Sequence, residues 1–580
     1  MENKYQQQGR WQYGLLLATL GLGLLLCWPA GRQIPLAQAE GIVSLAGRVL
    51  DRQQEPIRGA EVRAALNGEQ EQPGEHTTAI NESQSDGSFV LDLPAGNVGQ
   101  IESLALHFSR PHFQPTTWQA NPEQIALLNA GESLRLPDLE MERRITAGFW
   151  VASLTFAAIL ILIALEKLHN TMAALLGVAM VLATSFVGGA ITRDLFIFDL
   201  ERSLEYVNFD VIFLVMGMMI VISVIEETGI FQWMAYQSYR LSRGRAWLLV
   251  IILMLITSIA SALLDNVTTM LLMTPMTIQI ALALGAHPLS LLLPEILASN
   301  VGGISTLIGT PTNILIGSYA QLSFNNFVVN LTPGVLLAQV ALTVYVLLRY
   351  RKQFFVKGGG LSESLLAMLR ESGRITHPTK LKKAGVVFII MIVLFVVGES
   401  IHLVPAVTAL LGAVTMLLWV SPDVDEMLKV VDWTTLMFFI ALFIVVGAIQ
   451  EVGLISIIAV GIGKIVGNSL SASILVLVWA AAILSGIIAN IPFTAAMLPV
   501  VGFLTRTVPG ANSNVLFYSL SIGSAMGGNS SLIGASANLV TAGIAERAGY
   551  KITYMHFLKV GLPATVITVA IGTLWLFIRF

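Results

Sequence analysis

Leu264-Asp265-Asn266-Val267-Thr268-Thr269 stands at the centre of an apolar stretch, 246–282, that is too long for one membrane span. Further on comes Gly302-Gly303-Ile304-Ser305-Thr306-Leu307-Ile308-Gly309, closing on Asn313. The pair then returns. Ile488-Ala489-Asn490-Ile491-Pro492-Phe493 is followed by Gly527-Gly528-Asn529-Ser530-Ser531-Leu532-Ile533-Gly534, closing on Asn538. Asn266 and Asn490 are 224 positions apart, as are Pro275 and Pro499, and Glu227-Thr228-Gly229 and Glu451-Val452-Gly453. Polar, glycine-rich breaks at membrane depth are tolerated only where they line a cavity or are buried in protein. Paired breaks in two halves point to the binding site of a secondary transporter.

Composition sets the class independently. Hydrophobic residues make up 55% of the 580, charged residues only 12%, and mean hydropathy is +0.74. Soluble domains carry about 25% charged residues. Between Arg245 and Arg349 there is no Lys or Arg, and the only acidic residues are Asp265 and Glu295. The one cysteine, Cys27, excludes a disulfide framework.

The chain divides into five parts. Residues 1–39 read as a secretory signal peptide or an uncleaved anchor: basic Lys4 and Arg10, an apolar run from Leu15 to Cys27, and a small-x-small site at Ala37-Gln38-Ala39. Residues 41–140 are polar and turn-rich, with strands expected at Gly47–Asp51, Pro56–Val62 and Asp86–Pro94. Residues 145–350 and 384–580 each read as five spans plus one re-entrant hairpin, at 246–282 and 470–505, with broken spans at 291–318 and 514–541. An odd number of spans forces opposite orientations, so the predicted fold is a polytopic α-helical membrane protein built as an inverted repeat. The linker 351–383 and its flank carry nine basic residues from Arg349 to Lys383 against Glu363 and Glu371, which places them in the cytoplasm and 41–140 outside.

At the breaks, unpaired helix-end groups combine with amides and hydroxyls to form a cage for a small ion. Asn266, Thr268, Asn300, Ser305, Thr306, Thr310, Thr312 and Asn313 line one such cage; Asn490, Thr494, Asn529, Ser530, Ser531, Ser536 and Asn538 line its mirror. Gly302, Gly303, Gly309, Gly527, Gly528 and Gly534 permit close approach. Na+ is assigned to Asn266/Ser305/Asn313 and to Asn490/Ser530/Asn538. Asp265 is not part of the symmetric frame, since its repeat mate is Ala489. A carboxylate at this depth is a functional hypothesis by default, and proton and cation compete for it. The competing reading is an aspartate that only caps the hairpin tip. Glu295 is the second choice for proton coupling, while Glu226, Glu227 and Glu451 read as interfacial.

Asp265-Asn266-Val267-Thr268-Thr269, with Ala298-Ser299-Asn300-Val301-Gly302-Gly303 and Leu307-Ile308-Gly309-Thr310-Pro311-Thr312-Asn313, resembles the ion transporter superfamily. The similar branch is that of the melanosomal P protein, bacterial sodium–proton antiporters and arsenite permeases, with divalent anion–sodium symporters as more distant relatives. The resemblance covers about 145–580. It implies a homodimer with a scaffold and a mobile transport domain moving as an elevator, and coupling ions Na+ or H+ with no other cofactor. Relatives of this branch often carry Gly-Asp-Pro-Pro-Asn where this chain has Gly309-Thr310-Pro311-Thr312-Asn313, so one carboxylate is missing here. Residues 41–140 resemble the carboxypeptidase regulatory-like β-sandwich, for which no partner is assigned.

The expected function is secondary active ion transport in a bacterial inner membrane, most of all sodium/proton antiport. Cation- or proton-coupled permeation of a small anion such as a dicarboxylate or arsenite is the alternative, and a ligand sensor is the alternative of another class. No nucleophile–base pair speaks for an enzyme. The basic linker is accounted for by its cytoplasmic side and needs no separate function in binding anionic lipid or nucleic acid, so the expected partners are a small ion or anion and membrane lipid, with no nucleic acid.

Overall fold

The structure, a computed structural model, describes residues 43–52, 54–67, 80–93, 101–165, 167–354, 370–371, 373–420 and 424–580. The expected leader 1–39 with Cys27, and 355–369 of the basic linker, lie outside the described residues.

The chain forms two compact units. The first takes in the residues up to Ala152 together with Leu182–Asp199 and Glu451–Gly453. Alternating apolar residues make strands β1 (Val43–Asp51), β2 (Glu61–Leu66), β3 (Ile80–Glu82), β4 (Ser88–Leu93), β5 (Leu104–Ser109), β6 (Thr116–Gln119), β7 (Leu134–Arg135) and β8 (Leu139–Met141). β1 pairs antiparallel with β4 and parallel with β7 and β8; the second sheet runs β3-β2-β5-β6, antiparallel throughout. Leu45, Phe89 and Leu91 of one sheet and Val62, Leu106 and Phe108 of the other share one buried cluster. The short helix α1 (Pro122–Asn129) starts in a capping box between Asn121 and Gln124.

Beside this cluster lies a buried polar knot. Arg110 pairs with Glu451 at 2.6 Å, with 10% and 5% of the side chains exposed. Arg143 stacks on Phe113 and donates to the Glu451 carbonyl. Burial pushes the His112 imidazole down to about 4, so it is neutral at pH 7, and its Nδ1 sits 2.8 Å from Thr146 Oγ1.

The second unit is helical: α2 (Ala147–Ala164, begun in the first unit), α3 (Asn170–Ala183), α4 (Phe209–Glu226), α5 (Ile230–Ser242), α6 (Ala246–Leu263), α7 (Asn266–Ala283), α8 (Leu289–Gly302), α9 (Pro311–Tyr319) and α10 (Phe324–Arg349). After the linker come α11 (Pro378–Val397), α12 (Pro405–Thr415), α13 (Trp433–Glu451), α14 (Leu454–Val466), α15 (Leu470–Ile487), α16 (Asn490–Thr507), α17 (Val515–Gly527), α18 (Ser536–Arg547) and α19 (Tyr554–Arg579). Among the described residues, ten helices are long and apolar enough to cross a membrane. The helices from α4 to α10 recur in order as α13 to α19: starts at 209, 230, 246 and 266 return at 433, 454, 470 and 490, each 224 later.

Two features differ from the sequence reading. Each half carries an additional helix, α5 and α14, whose thirteen residues are too few for a span. The arms of each expected hairpin are full 18-residue helices, broken only at Leu264–Asp265 and at Ile488–Ala489. At 1.5 Å per residue each arm is about 27 Å long. Glu227 and Glu451 are committed to ion pairs, Glu227 with Lys380 at 3.3 Å.

Candidate functional site

The breaks expected at Gly302 to Pro311 and its mirror are both present. Helix α8 ends at Gly302, an irregular loop follows, and Pro311 begins α9; α17 ends at Gly527 and Ser536 begins α18. Proline at the first helical position suits α9, because the missing N–H would be unpaired there anyway.

Each loop is closed by its own asparagine. Asn313 Nδ2 donates to the carbonyls of Ile304 (3.0 Å) and Thr306 (2.8 Å); Asn538 Nδ2 donates to those of Gly528 and Ser531, both at 2.9 Å. Hydroxyls then latch each loop to the preceding helical arm. Thr306 donates to the Ala262 carbonyl and Ser531 to that of Gly486. Ser261 donates to the Ser299 carbonyl and Ser485 to that of Ser524. The paired positions differ by 224 or 225, so the two halves use one frame. The glycines serve packing within it: a Cβ on Gly302 would fall 2.6 Å from Ser258 Cα, and one on Gly527 2.6 Å from Ala482 Cα. Gly303 faces the Gly309 carbonyl, and Gly528 that of Gly534.

Asn300, Asn529 and Ser521, which have no polar mates in the repeat, join the halves. Asn266 Nδ2 donates to Asn300 Oδ1 at 2.8 Å; Asn300 Nδ2 donates at 2.8 Å to both Asn529 Oδ1 and Asn538 Oδ1. Asn529 Nδ2 reaches the Leu297 carbonyl, and Ser521 Oγ donates to Asn313 Oδ1 at 2.6 Å. Asn300, Asn313, Asn529 and Asn538 are at most 1% exposed. Two acceptors are left over: Asn266 Oδ1 and Thr494 Oγ1 are buried without a hydrogen-bond partner. Orphaned buried oxygens are costly unless something binds them, and they are the groups a small cation would coordinate.

Asp265 occupies the break before α7. Its Oδ1 accepts from Val267 N (2.7 Å) and Thr268 N (2.9 Å), and its backbone lies at φ +155°, ψ 158°. That region is nearly restricted to glycine, and holding a side chain there costs on the order of 1–3 kcal/mol. Ala489 caps nothing.

The remaining positions are less connected. Thr310 and Thr312 hydroxyls lie 3.1 Å apart, the Ser305 carbonyl accepts from Thr332, and Asn490 N donates to the Gly534 carbonyl. Ser530 lies beside Gly486, and Ser536 is half-buried at the start of α18. No described hydrogen bond joins Asn266, Ser305 and Asn313 to one another, nor Asn490, Ser530 and Asn538. Among the described residues no cluster of three His, Cys, Asp or Glu could hold a metal. The residues that sequence reasoning missed are Ser261, Ser485 and Ser521, together with Thr257 and Thr277 around Glu295. The i, i+4 spacing of Thr257 and Ser261 on α6 was the available signal.

The profile of the citrate transporter family matches residues 160–511. An uncharacterised transporter of Mycobacterium tuberculosis is 36% identical over 431 residues, 74% of this chain and 98% of the relative. The human P protein is 33% identical over 506 residues, and the match spans 59% of that longer protein. Among solved structures, the YdaH transporter of Alcanivorax borkumensis superposes with a TM-score of 0.48 at 13% identity, covering 71% of this chain and 98% of that one. This chain is a membrane transporter and belongs to the citrate transporter family of the ion transporter superfamily.

Proposed function

We propose that the protein exchanges a small cation, Na+ in the first instance, for protons, using the meeting point of Asp265, Asn266 and Asn300. The observation that carries this reading is the buried, unpartnered Asn266 Oδ1, one residue from a carboxylate, in a stretch with no Lys or Arg from 246 to 348. Ionised Asp265 caps α7 through two backbone N–H groups. Protonation leaves a weaker acceptor at a strained backbone, so loading a proton loosens the same tip that holds the cation. The recurring helices are read as an inverted repeat. The broken helices and hairpins form a transport body that moves as an elevator against a dimeric scaffold in a bacterial inner membrane. The linker 351–383 lies inside and 41–140 outside, which single cysteines at Lys352 and Ser85 in a Cys27→Ser background test by labelling from opposite sides.

Asparagine is as good a helix cap as aspartate, so Asp265→Asn keeps the tip. Proteoliposomes carrying this variant and an internal pH dye should lose Na+-driven proton flux while the protein stays folded. Persistent exchange would place the titrating group elsewhere.

A coupled carboxylate permease is the second reading. It is favoured by the family's description and by the starts of α9, α16 and α18, none of which has a side-chain cap. Uncapped helix starts favour anions. Uptake of radiolabelled citrate with no cation–proton exchange in the same vesicles would establish that reading and remove the first.

A further inference from the structure

Glu295 stands in the first half of the broken helix α8 and is 0% exposed. Thr257 Oγ1 of α6 donates to its Oε1 at 2.9 Å. Its Oε2 has no partner. Thr277 of α7, also 0% exposed, sets its hydroxyl beside the same carboxyl, short of full hydrogen-bond geometry. Three helices therefore bring four side-chain oxygens together in the buried interior, and two of them, Glu295 Oε2 and Thr277 Oγ1, make no well-formed hydrogen bond.

Among the described residues no positive charge pairs with the carboxyl. α6 and α7 carry no charged residue, and the carboxylate of Asp265, before α7, is engaged by the backbone N–H groups of Val267 and Thr268. On the other helices packed against α8 the charged and basic groups are Arg349, Glu546, Arg547, His556, Lys559 and Arg579, and none of them forms an ion pair with Glu295. Of the phenols on those helices, Tyr345 donates to the Val560 carbonyl and Tyr518 accepts from Asn330. An ionised carboxylate in such surroundings costs many kcal/mol unless a counter-charge joins it. Oxygen-only sets of carboxylate and hydroxyl suit hard cations. Glu295 precedes Asn300 by five residues, about 7.5 Å along the helix. The point is thus separate from the amide network, and its repeat mate Leu520 shows that only one half carries it.

We propose that Glu295, Thr257 and Thr277 form a second cation site, taking Na+ or Li+, beside the one at Asn266. The proposal rests on the reading of the protein as a cation transporter.

The test is thermal unfolding of the purified full chain in detergent, titrated with NaCl or LiCl against choline chloride at constant ionic strength. The wild type should melt higher as Na+ rises. Thr277→Val removes a hydroxyl that makes no well-formed hydrogen bond, so its ion-free melting point should be little changed or higher. Its half-saturating Na+ should rise about tenfold, the worth of one charge-assisted contact. Glu295→Gln, which keeps the shape, should shift half-saturation at least as far; if it fails to fold, Thr277→Val decides alone. Saturation of Thr277→Val at the wild-type Na+ concentration overturns the second site and leaves the cation reading intact. A wild type that no cation stabilises overturns both.

Discussion

Asn300→Ala should abolish transport and lower stability more than any other single amide deletion in the protein. Among the described residues the amide of Asn300 alone touches three others, taking a hydrogen bond from Asn266 and giving two, to Asn529 and Asn538. Truncation leaves one donor and two acceptors buried at sites that water does not reach. Each unsatisfied group costs about 1–3 kcal/mol, so the loss is roughly 3–6 kcal/mol after partial relaxation. Asn313→Ala makes a useful comparison, because its bonds close one loop and join one neighbouring helix. Thermal melting in detergent and ion flux in vesicles should both rank Asn300→Ala as the more damaging. Wild-type flux in Asn300→Ala would remove the asparagine network from the mechanism.

Gly302→Val and Gly527→Val should fail to give folded protein at normal yield. In each case the new Cβ meets backbone, the carbonyl oxygen and Cα of Ser258 or of Ala482, at 2.5 and 2.6 Å. Backbone on backbone cannot yield by a rotamer change, so α6 and α8, or α15 and α17, must separate. Overpacking of this kind costs about 3 kcal/mol or more. The loss should be equal in the two halves, since the contact is the same. Gly461→Ala and Gly543→Ala are the controls: nothing lies within 4 Å of either added Cβ, and alanine favours the helix by roughly 1 kcal/mol. Monodisperse protein after heating, measured by fluorescence-detected gel filtration, separates these outcomes. Normal folding of Gly302→Val would show that the two helices do not cross where the glycine lies.

The break positions were legible because they violate the surroundings in which they sit. Polar and glycine residues inside 246–318 and 470–541 have no reason to be there unless the backbone leaves the helix, and the recurrence at 224 places both breaks in register. The helices α5 and α14 were not legible from span counting, because thirteen amphipathic residues do not read as a span and follow a Glu-x-Gly turn that reads as loop. The ion pairs of Glu227 and Glu451 were equally hidden. Their partners, Lys380 and Arg110, lie 153 and 341 positions away, and no local pattern links them.

By itself the sequence determined a membrane class, two halves with breaks in register, and the candidate polar residues, all of which follow from hydropathy and spacing along one dimension. Only the tertiary structure decided which of those residues meet. The symmetric pairs Asn313 and Asn538 close their own loops, whereas Asn300 and Asn529, which have no polar mates in the repeat, tie the halves together. It also gave Asp265 a capping role and left Glu295 and Thr277 with oxygens to spare. The physical reason is that a hydrogen bond needs its partners within about 3 Å and in line. Helices separated by 200 residues reach that geometry only through packing, at crossings such as Gly302 on Ser258 that small residues permit and no sequence spacing encodes.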